Sequence, residues 1–413
     1  MAANITLITQ PLEIVTAYNP IIITASSTNT VEPNFRYIID IVFSYPTGIT
    51  TKRLKMSARP DGFLLFDAHR IVENYLSYNF SVGDDTDALG CADSYVEYEL
   101  QIGVEYGTTP TVYANLDSVV GYAINAALKH AVSSFGTEPD YINIDLRTDY
   151  IISDLVAGDK PFLTSSPRTL TICSDKNYYL YALINVGEEP PTLRLKTYDS
   201  TGSLLSTSNK TLTATTDLIV RYGVGTKNIN EWNAAYLVGA SSYTVQLFNA
   251  PGLGSPVAIS ELFTFNIDCE CSKWNESFRL HWLNPLGGFD AFTFKQKFDR
   301  NFQIKKSNYT KILGAVDGAG AFTFTTSQAG EVNFDTRTTE TIKINSDWIT
   351  EDENEWLLTL AKSSQVFWEI DSDTYAPVTI TDSSYSQKTY AGQKLFNAHF
   401  TIKISNEIPT QRQ

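Results

Sequence analysis

Residues 95–106 read Tyr95-Val96-Glu97-Tyr98-Glu99-Leu100-Gln101-Ile102-Gly103-Val104-Glu105-Tyr106. Val96, Tyr98, Leu100, Ile102, Val104 and Tyr106 alternate with Glu97, Glu99, Gln101 and Glu105. A strand sends successive side chains to opposite faces, so this stretch predicts an antiparallel strand with one face on a core. The same period recurs at 396–404, with Phe396, Ala398, Phe400, Ile402 and Ile404 inward, and in shorter form at 193–198, 243–248 and 341–345. Phe-Thr-Phe at 263–265, 292–294 and 322–324 adds strand segments of similar patterning, not a repeat of fixed period. Helical spacing is scarce. Ala123, Ala126, Ala127 and His130 predict a helix over 118–132, weakened at its start by Gly121. A second short helix is predicted over 67–76, with Asp67 placed to cap it and Ile71, Tyr75 and Leu76 facing inward. The fold class expected is mainly β: several antiparallel β-sandwich-like domains in series, with one or two short helices.

Clusters of turn residues divide the chain. Residues 1–156 form an N-terminal β-rich domain with short helices, and 157–168 read as a linker. Residues 169–268 have the length and strand spacing of an immunoglobulin- or fibronectin-like sandwich. Residues 269–413 hold five of the six tryptophans and make a third β domain. Pro60-Asp61-Gly62 and Pro285-Leu286-Gly287-Gly288 read as tight connections, because glycine tolerates positive φ.

Composition narrows the function. In 413 residues, 31 Lys and Arg stand against 46 Asp and Glu, a net charge of −15. Phosphate neutralisation needs a cationic face, so nucleic acid is not the expected partner. At 43% hydrophobic and 12% aromatic residues the chain has ample apolar surface to bury, which argues against disorder. No run of about 18 apolar residues predicts a membrane-spanning helix. The start, MAANITLITQPLEIV, lacks a basic segment followed by an apolar run. It does not read as a signal peptide, so folding in a cytoplasm is expected. Cys91, Cys173, Cys269 and Cys271 lack zinc-ligand spacing and read as structural thiols.

Chemistry-bearing motifs are weak. His69, His130, His281 and His399 are scattered, with no HExxH, and no serine sits in a GxSxG elbow. Gly314 to Gly320 lacks the Lys-Ser/Thr ending of a phosphate loop. Asp84-Asp85-Thr86-Asp87 does not satisfy EF-hand spacing and reads as a solvated acidic turn, as does Glu351 to Glu355. No catalytic residue, metal ligand or cofactor is assigned. One charge anomaly stands out: Lys295, Lys297, Arg300, Lys305 and Lys306 fall within twelve residues of an acidic chain. Such a run either blunts a sheet edge or meets an acidic copy of the same chain or a neighbouring protein. With Trp282, Phe289 and Phe292 of the adjoining aromatic stretch, these residues form the candidate interface.

Three stretches carry a resemblance. They are Ala17-Tyr-Asn-Pro20 with Pro33-Asn-Phe-Arg-Tyr37, Arg59-Pro-Asp-Gly62 with Ile71-Val-Glu-Asn-Tyr75, and Arg279-Leu-His-Trp-Leu-Asn-Pro-Leu-Gly-Gly-Phe-Asp-Ala-Phe-Thr-Phe294. Over about 1–76 and 272–300 the chain resembles virion structural proteins of tailed phages and prophages of Bacteroidetes hosts. The resemblance implies a non-enzymatic tail, collar or baseplate protein, assembled in the host cytoplasm into a homo-oligomeric ring that contacts other virion proteins, without membrane insertion. It supplies no catalytic residues. The alternative reading is a receptor- or carbohydrate-binding β-sandwich protein acting on a host surface glycan, since Tyr and Trp suit sugar faces as well as wet interfaces.

Overall fold

The computed structural model describes residues 5–45, 48–80, 87–128, 145–153, 158–185, 187–250, 255–268, 277–327, 330–371, 374–382 and 396–405, apart from the side chains of residues 45 and 113–117. The structure is mainly β, with several sheets and few short helices. Its chain divides into two compact units, Met1–Glu270 with Leu283–Ala291, and Cys271–Trp282 with Phe292–Gln413.

The first unit opens with β1 (Ile5–Thr9), β2 (Ile14–Thr16), β3 (Ile22–Ser27), β4 (Arg36–Tyr45), β5 (Thr50–Met56), β6 (Leu64–Asp67), β7 (Ala88–Gly90), β8 (Tyr95–Tyr106) and β9 (Thr111–Ile124). β2-β9-β8-β4-β5 form one sheet and β1-β3-β6 another. Their inner faces share one core, in which Ile21, Ile23 and Phe66 meet Tyr37, Ile39, Tyr98, Leu100 and Ile102. The alternation of 95–106 holds: all six even-numbered apolar residues are buried. Glu105 departs from it, because Lys55 on β5 reaches its carboxylate and lets it be buried on the polar face.

Helix α1 (His69–Val72) and a following 3-10 turn, Glu73–Tyr75, bear out the short helix expected at 67–76. Asp67 Oδ1 accepts the backbone N–H groups of His69 and Ile21, which ties the helix start to β3. The helix expected at 118–132 is not formed: residues 111–124 are β9, and 129–132 lie outside the described residues. The alanines gave the helical spacing, but β8 offers a long partner, with Leu100 opposite Val119 and Tyr98 opposite Gly121. Tertiary pairing outweighs so weak a propensity.

The rest of the first unit carries α2 (Leu146–Tyr150), β10 (Ile151–Ile152), β11 (Thr169–Cys173), β12 (Tyr179–Ile184), β13 (Thr192–Tyr198), β14 (Leu204–Thr211), β15 (Ile219–Gly223), α3 (Thr226–Trp232), β16 (Ser242–Phe248) and β17 (Phe263–Asp268). One sheet runs β11-β17-β16-β13-β14, the other β10-β12-β15-β7. The second sheet is completed by β7, which pairs with β15 across 130 positions of sequence, Val220 opposite Gly90, a contact no local pattern reveals. Tyr243 Oη donates to Val224 O at 2.8 Å, and its ring stacks on Phe265. Within 158–168, read from sequence as a linker, Phe162, Leu163, Thr164 and Ser166 are buried.

The second unit is built on β18 (Phe278–Leu283), β19 (Phe289–Phe294), β20 (Asp299–Thr310), β21 (Ala315–Val316), β22 (Phe322–Thr323), β23 (Glu331–Ile349), α4 (Glu351–Lys362), β24 (Val366–Asp371), β25 (Thr374–Ile380) and β26 (Phe396–Ile404). Seven strands form one sheet in the order β19-β18-β24-β25-β26-β23-β20. The acidic run 351–355 is not a turn but the start of α4. Thr350 and Glu353 form a reciprocal capping box, and the acidic first turn complements the helix dipole. Trp356, Leu357 and Leu360 supply the buried stripe of α4. The Trp356 ring lies 5.1 Å from that of Trp282 on β18.

The β18–β19 connection, 283–291, belongs to the first unit. Buried Asn284 organises it, taking the N–H groups of Leu286 and Gly288 on Oδ1 and donating to Leu163 O and Asp290 Oδ1. Gly287 has φ +89°, and a Cβ there would lie 2.7 Å from Asn125 O. Both facts demand glycine.

Candidate functional site

β20 pairs with β23 along its whole length, from Asp299 opposite Lys343 to Thr310 opposite Glu331. The other neighbour of β23, β26, pairs only with its inner part, Thr341–Ile349. Among the described residues, 302–310 and 331–340 therefore run on as a two-stranded arm beyond the sheet. Ten strand residues at ~3.3 Å each give this arm a reach of about 33 Å. Every residue of β20 is exposed. On one face stand Phe302 and Ile304, 52% and 56% exposed, opposite Glu340 and Thr338. On the other, Lys305 stands directly opposite Arg337.

The arm ends in the β21–β22 hairpin. Asp317 Oδ1 accepts the N–H groups of Ala319 and Ala321, which closes the turn. Gly314 has φ +93°, and a Cβ there would strike the Phe322 ring at 2.3 Å. Ile312 and Phe322 at this tip are 89% and 67% exposed, with Val316 and Phe324 beside them. The glycine-rich run 314–320 is thus a hairpin connection, and its neighbouring Phe-Thr-Phe faces solvent rather than a core.

Charge is uneven between the two strands. Residues 295–311 hold six lysines and arginines against one aspartate, whereas 312–340 hold Arg337 against Asp317, Glu331, Asp335 and Glu340. Arg337 pairs with Asp335 at 3.1 Å, and Arg300 lies 3.7 Å from the Glu340 carboxylate. Lys305 and Lys306 have no ion-pair partner among the described residues. Like charges directly opposite each other on neighbouring strands are destabilising, so the Lys305–Arg337 juxtaposition costs the isolated chain free energy.

The structure disperses the interface predicted from sequence. Lys305 and Lys306 sit on the arm and Arg300 at its base. Lys295 and Lys297 lie in the segment before β20, where Asn345 Nδ2 donates to Lys297 O at 2.6 Å. The cations form a row along a strand, not a compact patch. Trp282 is fully buried, and its Nε1 donates to Thr359 Oγ1 at 2.9 Å, so it packs a core and cannot meet a neighbour. Phe289 is buried in the first unit beside Phe80 and Tyr78. Phe292 is half-buried against Phe294 and Trp356. Strand alternation sends these aromatics inward, a direction their clustering in sequence did not reveal. Missed at the sequence level were Phe302, Ile304 and the apolar tip. The signal available was two long strand-like runs joined through a glycine-rich turn.

Other polar clusters are internal. Arg279, His281 and Glu369 are all buried, with His281 Nε2 2.8 Å and Arg279 Nε 3.1 Å from Glu369 Oε2. Arg279 Nη1 also donates to Thr293 Oγ1 at 3.1 Å. In the first unit, Arg53 grips both Asp40 oxygens. Asp290 takes Thr164 Oγ1 at 2.8 Å. Burial pushes the Cys91 thiol up to about 12, although Arg221 nearby opposes the shift. At neutral pH this thiol is protonated and inert. Cys173 is disulfide-bonded rather than the free thiol expected, with a partner outside the described residues. The parallel register of β11 and β17, which sets Cys173 beside Asp268, is not readable from the sequence. Asp87 is held by Thr213 and Lys210, while 84–86, His130, 269–271 and the tail 406–413 lie outside the described residues.

No group of three or more His, Cys, Asp or Glu among the described residues could hold a metal ion. No helix among them is long and apolar enough to cross a membrane. Among the described tryptophans, Trp282 and Trp356 are buried, Trp232 and Trp368 half-buried, and Trp348 alone is well exposed. Comparison with models of known families and with curated proteins found no match.

Proposed function

We propose that this protein is a non-enzymatic building block of a tailed-phage virion, at the tail, collar or baseplate, held to other virion proteins through its β-arm. The observation that carries the reading is the arm itself. β20 is exposed on both faces and the outer part of β23 is exposed or half-buried, so the pair buries too little to be stable alone, since an isolated two-stranded hairpin is marginal in water. An apolar tip and apolar shaft residues held in solvent mark an interaction surface. The buried carboxylates Asp40, Glu105, Asp290 and Glu369 each have a bonding partner, as expected of groups that serve architecture. The resemblance over 1–76 and 272–300 supplies the phage context.

The test is mass spectrometry of particles purified after phage or prophage induction in the source host. The reading expects peptides of this chain at many copies per particle, retained through density-gradient purification. Their absence from intact particles would refute it.

A further inference from the structure

We propose that β20 docks head to tail on carboxylates of a second copy of this chain. This inference rests on the assembly reading above and names the arm's partner.

β20 is the last strand of its sheet, so one edge carries backbone N–H and C=O groups with no strand beside them among the described residues. Such an edge is a template for adding a strand or packing along another chain. The exposed residues extend along the whole shaft, not only at the tip. A surface spread over a strand edge fits a protein partner. A bilayer core would leave the edge's polar backbone groups unsatisfied.

Over 302–340 four carboxylates match four cations, but on β20 itself Arg300, Lys305 and Lys306 stand against Asp299 alone. Lys305, Lys306 and Arg337 crowd the middle of the arm, and only Asp335 pairs with one of them among the described residues. A partner with carboxylates relieves that repulsion. The chain carrying this cationic strand has a net charge of −15, so the remainder of each copy is strongly acidic. Each molecule thus carries both a cationic strand and, outside it, a surplus of carboxylates.

Two β20 edges facing each other across a two-fold axis would set cationic strand against cationic strand. Repulsion disfavours that isologous dimer. A heterologous contact, arm to carboxylates, satisfies the charge and closes into a ring when its rotation permits.

Light scattering on the full chain over a range of concentration and salt tests the proposal. Three proteins are compared: wild type, Lys305→Glu with Lys306→Glu, and a variant with Asn-Gly in place of 302–340. The Asn-Gly link is suited to the gap because Asn301 and Thr341 already face each other. The wild type is expected to reach a fixed multiple of the monomer mass as concentration rises, and to dissociate at 1 M salt, where the screening length falls to about 3 Å. The double variant is expected to need at least about tenfold more protein to associate. The armless variant should stay monomeric with an unchanged circular dichroism spectrum. Zero-length carbodiimide coupling of mixed light and heavy isotope chains should join Lys305 or Lys306 of one copy to Asp or Glu of another.

A wild type monomeric at every concentration overturns the proposal, as does association that both variants leave unchanged. Monomers that bind phosphatidylglycerol vesicles through Lys305 and Lys306 also overturn it and assign the arm to lipid. In each of these cases, recovery of the chain from purified particles would leave the virion reading standing. Absence from particles would remove that reading instead.

Discussion

One strand of this protein lives in two environments. The inner half of β23, Thr341–Ile349, pairs with β26, and its first three residues with β20 as well, with Ile342, Ile344 and Ile349 buried. Its outer half, Glu331–Glu340, has only β20 beside it among the described residues and no fully buried residue. The two halves thus differ in strand neighbours and in apolar burial. The inner half belongs to a core that includes Trp282, Trp356, Phe400 and Ile402. The outer half ends in a threonine-rich segment with charges on both strands. Stability resides in the first region and association in the second.

The largest effects should come from the inner region. Trp282→Ala is expected to cost about 3–5 kcal/mol, because a large buried ring and its bond to Thr359 are lost together. Phe302→Ala on the arm should stay within about 0.5 kcal/mol. Denaturant midpoints of the two variants measure the contrast, and equal losses would break it. Glu369→Ala is expected to cost a similar 3–5 kcal/mol as Trp282→Ala, since it strands the buried Arg279 charge. Wild-type-like unfolding of that variant would mean that Arg279 finds another partner.

A smaller effect is expected at the helix start. Thr350→Ala removes one side of the capping box and should cost about 1 kcal/mol, read from the same midpoints. The smallest effect carries the opposite sign. Lys305→Glu turns a repulsive cross-strand pair with Arg337 into an attractive one, worth about 0.2–1 kcal/mol in the monomer. Thermal melts should show it slightly stabilised while light scattering shows weaker association. A destabilised monomer would place Lys305 in the fold rather than in the contact.

The strands at 95–106, 192–198, 242–248 and 396–404 were legible because one face of each meets a core, which imprints period two on the sequence. The short helix at 69–72 was legible through Asp67. Residues 118–124 were misread because alanine-rich spacing is compatible with a helix when the partner strand is unknown. The acidic run at 351–355 was misread because a capping box needs Thr350 and Glu353 to be seen as one unit. The arm was half legible. Its cations announced themselves against an acidic chain, but with both faces in solvent β20 carries no burial pattern. Its apolar residues therefore could not be told from core positions. Trp282 and Phe289 failed in the converse way, since aromatic clustering does not say which side of a strand is covered. Pairings such as β15 with β7, and the disulfide at Cys173, depend on contacts far apart in sequence.

Hydrogen exchange followed by mass spectrometry tests the two-region account most directly, on the dilute chain and again after assembly. The account predicts slow exchange for 341–349 in both states. It predicts fast exchange for 302–310 and 331–340 in the dilute chain, becoming slow on assembly. Arm amides as protected as 341–349 in the dilute chain, or unchanged by assembly, would contradict it.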